Sequence, residues 1–318
     1  MLLLTENQTR DALPFPELIN ALREMFRDGC VMPTRHHHDM EIPGEADGTM
    51  LLMPAWVPGG FAGVKVVNVI PGNSARNMPA VAAQYLLSDA STGEMLALVD
   101  GGELTARRTA AASALAAGYL ARPDARHLLV LGTGRLAANL IAAHMAVRPI
   151  DTVTIWGRSA GKAEALVDAL KGTIPVRMEV AGQLEDALPK ADIISSATMS
   201  SVPLIKGDFV SPGTHVDLVG AFKPSMRESD DTLIGRAEIY VDTRDGCLSE
   251  GGDIVQPMRS GVITGEDIRA DLYDLCRGDH AGRSSEDAVT LFKSVGAALE
   301  DLAGAILAYQ SISRLPDA

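Results

Sequence analysis

The chain of 318 residues has few aromatic side chains and only three cysteines. Phe, Trp and Tyr together make up 4% of it, and Cys30, Cys247 and Cys276 are far apart, with no CxxC pair. Such spacing supports neither a zinc site nor a disulfide framework, so we expect no metal. The low aromatic content, beside abundant Ala, Gly and Leu, favours helices packed closely on a sheet over a β-sandwich.

Long apolar runs and excess positive charge are also absent. No uncharged apolar run reaches the roughly 18 residues of a membrane-spanning helix. The start, residues 1–4, is apolar but too short for a signal peptide and predicts a strand. We therefore expect a cytoplasmic protein with no membrane partner. The net charge is −13, and a field of that sign repels nucleic acid, which excludes a second class of partner.

The N-terminal third of the chain predicts an α+β layer rich in antiparallel strands. Residues 14–28 place apolar side chains at helical spacing. An Ala-rich helix is expected over 103–121 and ends at a Pro-Asp pair. Between these helices lie four short apolar runs, paired across Gly-containing turns, at 50–57, 62–70, 82–88 and 95–99.

From residue 127 onwards, strand and helix patterns alternate, which predicts an α/β fold with a doubly wound parallel sheet. Helices are expected over 135–147 and 160–171. A last helical pattern, over 285–312, is expected to pack back on the first domain and make that domain discontinuous. The predicted strands are 127–131, 152–156, 176–180, 192–196, 214–219 and 238–241.

A glycine-rich turn follows the first of these strands and opens a helix; it consists of Gly132, Thr133, Gly134, Arg135, Leu136 and Ala137. Gly132 permits the tight turn, Gly134 lets backbone N–H groups approach a pyrophosphate, and Ala137 lets the helix lie close to the strand. An ordinary strand-to-helix turn is the alternative. The second strand completes the βαβ unit that the dinucleotide fingerprint requires, so we predict a nicotinamide cofactor at the helix N-terminus.

The end of the second strand indicates which nicotinamide cofactor binds. An acidic residue there would hold the adenosine ribose, but the chain has Arg158 and Ser159. These side chains can bind a 2′-phosphate, which favours NADP(H); a surface arginine beside a site for NAD(H) is the alternative. The hydroxyl-rich region 192–204, with Thr198 in it, is expected to lie beside the cofactor.

Three basic residues, Arg35, Lys65 and Arg108, stand in otherwise apolar or small-residue segments. A site with a carboxylate-binding arginine and a proton-donating lysine would have this composition. The alternative for Lys65 is a solvated side chain on a strand. The run 36–38 is three histidines; consecutive side chains on an extended chain alternate in direction, so we expect a polar loop or pocket lining and not a metal site.

An ordered series of motifs extends over nearly the whole chain and resembles the ornithine cyclodeaminase/μ-crystallin family. The set is far more specific than any one of its members. In order, the motifs are Pro-Thr-Arg at 33–35, Leu-Met-Pro at 52–54, Gly-Val-Lys at 63–65, Pro-Gly-Asn at 71–73, Leu-Thr-Ala-Arg-Arg-Thr-Ala-Ala at 104–111, the glycine-rich turn, Val-Gly-Ala at 219–221, Met-Arg-Glu at 226–228 and Phe-Lys-Ser-Val-Gly at 292–296.

The resemblance implies a Rossmann domain, 121–296, inserted into a substrate-binding and dimerisation domain formed by 1–120 and 297–318. It also implies a homodimer and hydride transfer between a nicotinamide and the α-carbon of an amino or imino acid. By position, Arg35 and Arg108 match the family's carboxylate-binding residues, and Lys65 matches the lysine beside the reacting carbon.

Two further positions match family residues near the cofactor. Thr109 matches one near the phosphates, and Ser294, expected on the returning helix, matches one near the nicotinamide.

Two departures from the family pattern bear on the reaction. Cyclodeaminases have an acid before the Met-Pro pair and an aspartate after the Gly-Ala pair; this chain has Leu51-Leu52-Met53-Pro54 and Phe222. Phe222 cannot hold the distal amine of ornithine. The resemblance therefore implies a ketimine reductase that makes L-proline from Δ1-pyrroline-2-carboxylate, or L-pipecolate from Δ1-piperideine-2-carboxylate.

In that reductase, Leu51, Met53 and Phe222 would surround the substrate ring. Lys65 would act as proton donor, its pKa lowered by the nearby arginine charges. The alternatives are an ornithine cyclodeaminase, a related amino-acid dehydrogenase, and a non-catalytic binding protein such as the μ-crystallin branch contains.

Overall fold

The computed structural model describes residues 1–76 and 78–313, which form two compact units. The first unit is Met1–Arg108 with the chain from Ala298, and the second is Thr109–Ala297. Of the predicted segment 297–318, residues 314–318 lie outside the described residues. Among the residues described, no helix is both long and apolar enough to cross a membrane.

The elements of the N-terminal part follow the predicted order of helix, strand pairs and Ala-rich helix. In chain order they are β1 (Leu2–Leu4), α1 (Glu6–Asp11), α2 (Phe15–Asp28), β2 (His36–Met40), β3 (Gly48–Trp56), β4 (Phe61–Val69), β5 (Val81–Asp89), β6 (Met95–Asp100) and α3 (Gly101–Leu120), with a 3-10 turn at Pro71–Arg76.

The remaining elements alternate between strand and helix. They are β7 (His127–Leu131), α4 (Arg135–Met145), β8 (Thr152–Trp156), α5 (Ala160–Leu170), β9 (Arg177–Val180), α6 (Leu184–Ala187), β10 (Ile193–Ser196), β11 (His215–Leu218), α7 (Asp231–Arg236), β12 (Glu238–Val241), α8 (Arg244–Glu250), α9 (Gly252–Ser260), β13 (Ile268–Asp271), α10 (Leu272–Arg277), β14 (Thr290–Lys293) and α11 (Ala298–Ser313), with short 3-10 turns at Leu188–Lys190, Gly207–Phe209 and Gly265–Asp267.

The first unit is built on a six-stranded sheet in the order β1-β6-β5-β4-β3-β2. Strand β1 is parallel to β6, and the other neighbours are antiparallel. Helix α11 packs on β3, β4, β5 and α2. Helix α2 faces the core because its apolar residues recur at helical spacing; Leu18, Ile19, Leu22 and Phe26 are all buried.

The second unit is built on eight parallel strands in the order β13-β12-β14-β11-β10-β7-β8-β9. Chain order runs outward from β7 to β9 on one side and from β10 to β11 on the other, where β14 is inserted between β11 and β12. The direction of winding therefore reverses between β7 and β10. In doubly wound sheets, the crevice at this reversal point is where dinucleotides bind. The predicted Rossmann-type fold class is confirmed, and β7 is the strand that carries the glycine-rich turn.

Helix α3 belongs to both units, and the boundary between them lies inside it. The boundary predicted from the sequence follows residue 120. The boundary in the structure lies between Arg108 and Thr109, earlier in the same helix. The difference arises because Ala117 packs in the hydrophobic core of the second unit, and Ser113 donates a hydrogen bond to Asp217 within that unit.

The predicted helix over 285–312 is wrong in its first half. That part contains strand β14, and helix α11 begins only at Ala298. Strand β14 lies between β11 and β12 and all four of its residues are buried. A strand buried on both faces has no alternating pattern and resembles a helical segment. Ser294 therefore follows a strand and does not lie on the returning helix.

The histidine run lies on a strand, so the polar loop, one of the two settings predicted for it, is wrong. His36, His37 and His38 belong to β2, the edge strand of the first sheet, and pair with residues 50–52 of β3. All three are exposed. Within residues 1–76 and 78–313, no three His, Cys, Asp or Glu side chains form a group able to hold a metal ion.

Candidate active site

Lys65 lies in the interior of the first unit, on the face of β4 that α11 covers. It is 2% exposed, so the solvated side chain considered from the sequence is wrong. Met53 on β3 and Tyr85 on β5 stand directly opposite it. Directly opposed residues of antiparallel strands share a face of the sheet, and Leu51 shares that face because it is two residues from Met53.

Helices α3 and α11 supply the partners of Lys65. Its Nζ lies 2.8 Å from Oδ1 of Asp301 and 3.2 Å from Oγ1 of Thr105. Arg108 donates from Nε to the same Asp301 oxygen at 2.8 Å and from Nη1 to Glu300 at 2.6 Å. Both carboxylates are fully buried. Two cations and two carboxylates thus balance in the interior, which limits the cost of burying each charge.

This environment sets the protonation of Lys65. Burial lowers the pKa of Lys65 to about 8; the Asp301 carboxylate opposes that shift, while Arg108 and Arg35 add to it. Burial acts to raise the pKa of Asp301, but Arg108 and Lys65 bring it below its usual value. The predicted lowering by arginine charges is therefore present, and burial exceeds it. An ammonium group with a pKa near 8 can release a proton near neutral pH.

The glycine-rich turn in the second unit has the backbone geometry of an anion site. Gly132 has φ +114°, and a Cβ on it would lie 2.8 Å from the carbonyl oxygen of Ala197. Gly134 precedes α4 with extended backbone and no side-chain cap. The first N–H groups of α4 are thus left for a ligand. A Cβ on Gly134 would meet nothing within 4 Å, so the space above this turn is open.

Residues at the end of β8 lie beside this turn. A Cβ on Gly157 would lie 2.8 Å from Cγ2 of Thr133. Arg158 and Ser159 follow and are exposed, and Ser159 is the N-cap of α5. No acidic residue occurs where an NAD-binding strand would place one.

A buried carboxylate organises the ends of β10 and β11. Oε1 of Glu228 accepts hydrogen bonds from the Ser196 hydroxyl at 2.6 Å and from the amide and hydroxyl of Thr198, both at 2.7 Å. Its Oε2 accepts from the amides of Gly220 at 2.7 Å and Ala221 at 3.2 Å. Burial raises the pKa of Glu228, against the effect of the Lys293 charge. Thr198 is thereby fixed just beyond the C-terminal end of β10, on the side of the sheet where a dinucleotide would bind.

The close approach of these two strand ends requires glycine. A Cβ on Gly220 would lie 1.8 Å from the carbonyl oxygen of Thr198. Phe222, two residues on, is 42% exposed. It therefore presents an accessible apolar side chain where a cyclodeaminase would have its aspartate.

The segment after β14 is held by Asp242. Oδ2 of Asp242 accepts hydrogen bonds from the Ser294 hydroxyl at 3.1 Å and from the amides of Val295 at 2.8 Å and Gly296 at 2.7 Å. Ser294 is 1% exposed and fixed at a strand end. Thr109, on α3, is 7% exposed.

The carboxylates that hold these groups are not among the site residues predicted from the sequence. Glu300 and Asp301 interrupt an otherwise apolar stretch, 297–305, and an acidic pair in such a stretch is a signal of buried ion pairing. Glu228 was part of the motif at 226–228 but carried no role. Asp242 stands at the end of a buried strand, with no local pattern that marks it.

Comparison with known proteins shows which family this chain matches. The model of the ornithine cyclodeaminase/mu-crystallin family matches residues 3–315. The Delta(1)-pyrroline-2-carboxylate reductase of Paracoccus denitrificans is 44% identical over 280 residues, which cover 88% of each chain.

Two solved structures are similar over almost the whole chain. The Delta(1)-pyrroline-2-carboxylate reductase of Thermococcus litoralis, in complex with NADH and L-proline, has a TM-score of 0.91 and 32% identity and covers 98% of both chains. An archaeal alanine dehydrogenase dimer with bound NAD has a TM-score of 0.89 and 30% identity, covering 98% of this chain and 96% of the other. The resemblance seen in the sequence is thus confirmed, and the chain belongs to the ornithine cyclodeaminase/mu-crystallin family.

Proposed function

We propose that the protein reduces cyclic ketimines with a nicotinamide cofactor, converting Δ1-pyrroline-2-carboxylate to L-proline and Δ1-piperideine-2-carboxylate to L-pipecolate. The observation that carries the proposal is Lys65, a buried lysine with a pKa of about 8 next to an arginine. Relatives that bear the name of this reductase support it.

The reaction needs two groups delivered to one C=N bond. C2 receives a hydride, and the ring nitrogen receives a proton. A reduced nicotinamide supplies the hydride when bound. Lys65 donates the proton to the ring nitrogen, which makes the imine a better acceptor. The C=N double bond between C2 and the ring nitrogen becomes a single bond, and the product is a secondary amine with its carboxylate intact.

Arg108 and Arg35 hold the substrate carboxylate in this proposal. Asp301 and Glu300 occupy Nε and Nη1 of Arg108. Its Nη2 makes no hydrogen bond to the described part of the chain, so a carboxylate oxygen can bind there. Leu51, Met53 and Phe222 would pack against the aliphatic ring. An apolar ring needs no partner for a distal amine, which agrees with Phe222 in place of an acid.

The cofactor would be held by the glycine-rich turn and the strand ends near it. The open space above Gly134 and the uncapped start of α4 fit a pyrophosphate. The proposed cofactor-binding residues are Thr109, Gly132, Thr133, Gly134, Arg135, Leu136, Ala137, Arg158, Ser159, Thr198 and Ser294.

The partners and compartment are part of the same proposal. The segments 1–120 and 297–318 would bind substrate and dimerise, and 121–296 would bind the cofactor. A homodimer is supported by the dimeric alanine dehydrogenase, and sedimentation equilibrium tests it. Three cysteines that form no disulfide agree with the reducing cytoplasm; immunolocalisation tests that assignment.

An assay of imino-acid substrates with both cofactors tests the reaction. We expect NAD(P)H oxidation with Δ1-pyrroline-2-carboxylate and formation of one proline per cofactor oxidised. Absence of turnover with both NADPH and NADH would refute the proposal. Ammonia release from ornithine without net NADH formation would establish the cyclodeaminase, and cofactor binding without any turnover would support a binding protein.

Arg158 provides a prediction about cofactor choice. Its guanidinium is exposed and makes no hydrogen bond or ion pair with any described residue, which leaves it available for a 2′-phosphate. We expect Arg158→Ala to raise the KM for NADPH on the order of tenfold, the effect of losing one charge-assisted contact. The KM for NADH should stay the same. Equal changes for both cofactors, measured by steady-state kinetics, would contradict a phosphate-binding role.

The protonation of Lys65 predicts the pH dependence of reduction. The burial-lowered pKa of about 8 means that the ammonium form, the proton donor, is lost as the pH rises through that value. We expect kcat/KM for Δ1-pyrroline-2-carboxylate to be constant below this pKa and to fall tenfold per pH unit above it. The falling part of the pH profile is called the basic limb. A limb near 10.5, the ordinary value for lysine, would exclude Lys65 as the titrating donor.

A further inference from the structure

Asp301 contacts both of the cations that the proposed reaction uses. Its Oδ1 lies 2.8 Å from Nζ of Lys65 and 2.8 Å from Nε of Arg108, and its Oδ2 lies 2.7 Å from Nζ of Lys65. The Asp301 side chain is fully buried, and those of Lys65 and Arg108 are 3% and 5% exposed. One carboxylate on α11 therefore fixes a residue of β4 relative to a residue of α3.

We propose that Asp301 is a positioning residue for the reduction, whose carboxylate holds the Lys65 ammonium and the Arg108 guanidinium in a fixed relation so that proton donation and carboxylate binding act as one unit. The inference rests on the proposed function. It assigns to α11 a part in the chemistry that none of the sequence motifs indicated.

The geometry favours this role over that of a helix anchor. An anchor needs one ion pair, and Glu300 already supplies it through Nη1 of Arg108 at 2.6 Å. Asp301 adds a second contact to Arg108 and is the acid that contacts Lys65. Because charge-assisted hydrogen bonds are short and directional, a shared carboxylate restricts both side chains at once.

The groups that face Lys65 come from several elements. Thr105 and Arg108 come from α3, Asp301 from α11 and Tyr85 from β5. Burial raises the pKa of Tyr85 well above its ordinary value, so Tyr85 stays neutral where Lys65 titrates.

Two arginines and two acidic residues account for the other charges near Lys65. Arg35 and Arg108 lower the pKa of Lys65, and Asp301 raises it. Glu300 is paired with Arg108. Asp301 is thus the negative charge in direct contact with the ammonium, and its removal would favour the neutral amine.

The test compares Asp301→Asn with the wild type. Since Asp301 raises the pKa of Lys65, its loss should move the basic limb of kcat/KM to lower pH, by about 1 to 3 units. Activity at neutral pH should fall roughly 10- to 100-fold, because the amide holds neither cation firmly. A merely structural role would lower activity or stability without moving the limb.

Glu300→Gln is the matched control, since it removes the neighbouring acid of the same helix. Glu300 pairs with Arg108 and not with Lys65, so we expect a higher substrate KM and an unmoved limb. Asp301→Glu keeps the charge but displaces it by one methylene. This variant should keep the limb near 8 while kcat falls about tenfold, and it serves the test if Asp301→Asn does not fold.

A measurement without substrate separates this inference from the proposed function. The pKa of Lys65 is followed by NMR of protein carrying 15Nζ-labelled lysine, in wild type and Asp301→Asn. A downward shift supports the inference even if pyrroline carboxylate is not the substrate. An unmoved pKa, or an Asp301→Glu variant with wild-type kcat and KM, would overturn it while leaving wild-type reductase activity unaffected.

Discussion

Replacing Lys65 with methionine should lower kcat/KM for Δ1-pyrroline-2-carboxylate by a factor of about 10² to 10⁴, the usual contribution of a positioned general acid. Methionine is similar in length and apolar, so it fits the buried space without donating a proton. No other lysine of the described residues contacts Asp301, and Arg108 remains charged throughout the accessible pH range. The loss should therefore appear mainly in kcat.

The same substitution has a smaller, separable effect on stability. Asp301 keeps Arg108 as a partner but loses the Lys65 ammonium, so the free energy of unfolding should fall by about 1 to 3 kcal/mol. Denaturant titration measures this fall. Fluorescence titration with NADH should show an unchanged Kd, because Lys65 is not among the residues proposed to hold the cofactor.

Lys206→Met is the control for activity, because it removes a lysine with an exposed side chain paired with Glu185. It should leave kcat/KM within about twofold of the wild type, since exposed ion pairs contribute little. Lys293→Met is the control for stability, since Lys293 is fully buried beside Asp253 at 3.3 Å. If Lys65→Met kept more than about a tenth of wild-type kcat, Lys65 would not be the proton donor.

The difference between the two halves of the site explains what the sequence could predict. The strand, glycine-rich turn and helix can be predicted together because they are contiguous in the sequence, so local spacing contains their geometry. The environment of Lys65 is not contiguous: Lys65 and Asp301 are 236 residues apart. No local pattern indicates that pairing, and an isolated lysine on a strand is usually solvated. The family resemblance is sufficient to predict Lys65 and Arg108 as site residues. The carboxylates that hold them are identified only by the structure.

Secondary structure shows the same limit. The strand pairs of the first sheet were predicted because turns containing glycine separate them. The sequence of strand β14 is compatible with a helix because Thr290–Lys293 is buried throughout and shows no alternation of polar and apolar residues. The same strand positions Ser294, so an error in one element changed the expected setting of a proposed cofactor residue.

Gly134→Ala should weaken NADH and NADPH binding equally, by about 10- to 100-fold, the consequence of forcing one methyl group into a close contact. In the structure a Cβ on Gly134 meets nothing within 4 Å, and φ of −87° suits any residue. The free protein therefore tolerates the methyl group, with at most about 1 kcal/mol lost at the helix cap. Its effect falls on a ligand whose pyrophosphate must approach the backbone.

Isothermal titration calorimetry with each cofactor measures this effect, and Gly118→Ala is the matched control. Gly118 lies in α3 and its added Cβ also meets nothing within 4 Å. Since alanine is the better helix former, Gly118→Ala should raise the free energy of unfolding by up to about 1 kcal/mol and leave both Kd values unchanged. If Gly134→Ala bound both cofactors as the wild type does, the pyrophosphate would not lie on this turn.

Gly134→Ala and Arg158→Ala together distinguish the two parts of the proposed cofactor site. The pyrophosphate is common to both nicotinamide cofactors, whereas the 2′-phosphate belongs to NADPH alone. A site that uses both residues should thus lose affinity for both cofactors in one variant and for NADPH alone in the other. If Gly134→Ala selectively lost affinity for NADPH, the 2′-phosphate would instead bind at the start of α4, and the role proposed for Arg158 would be wrong.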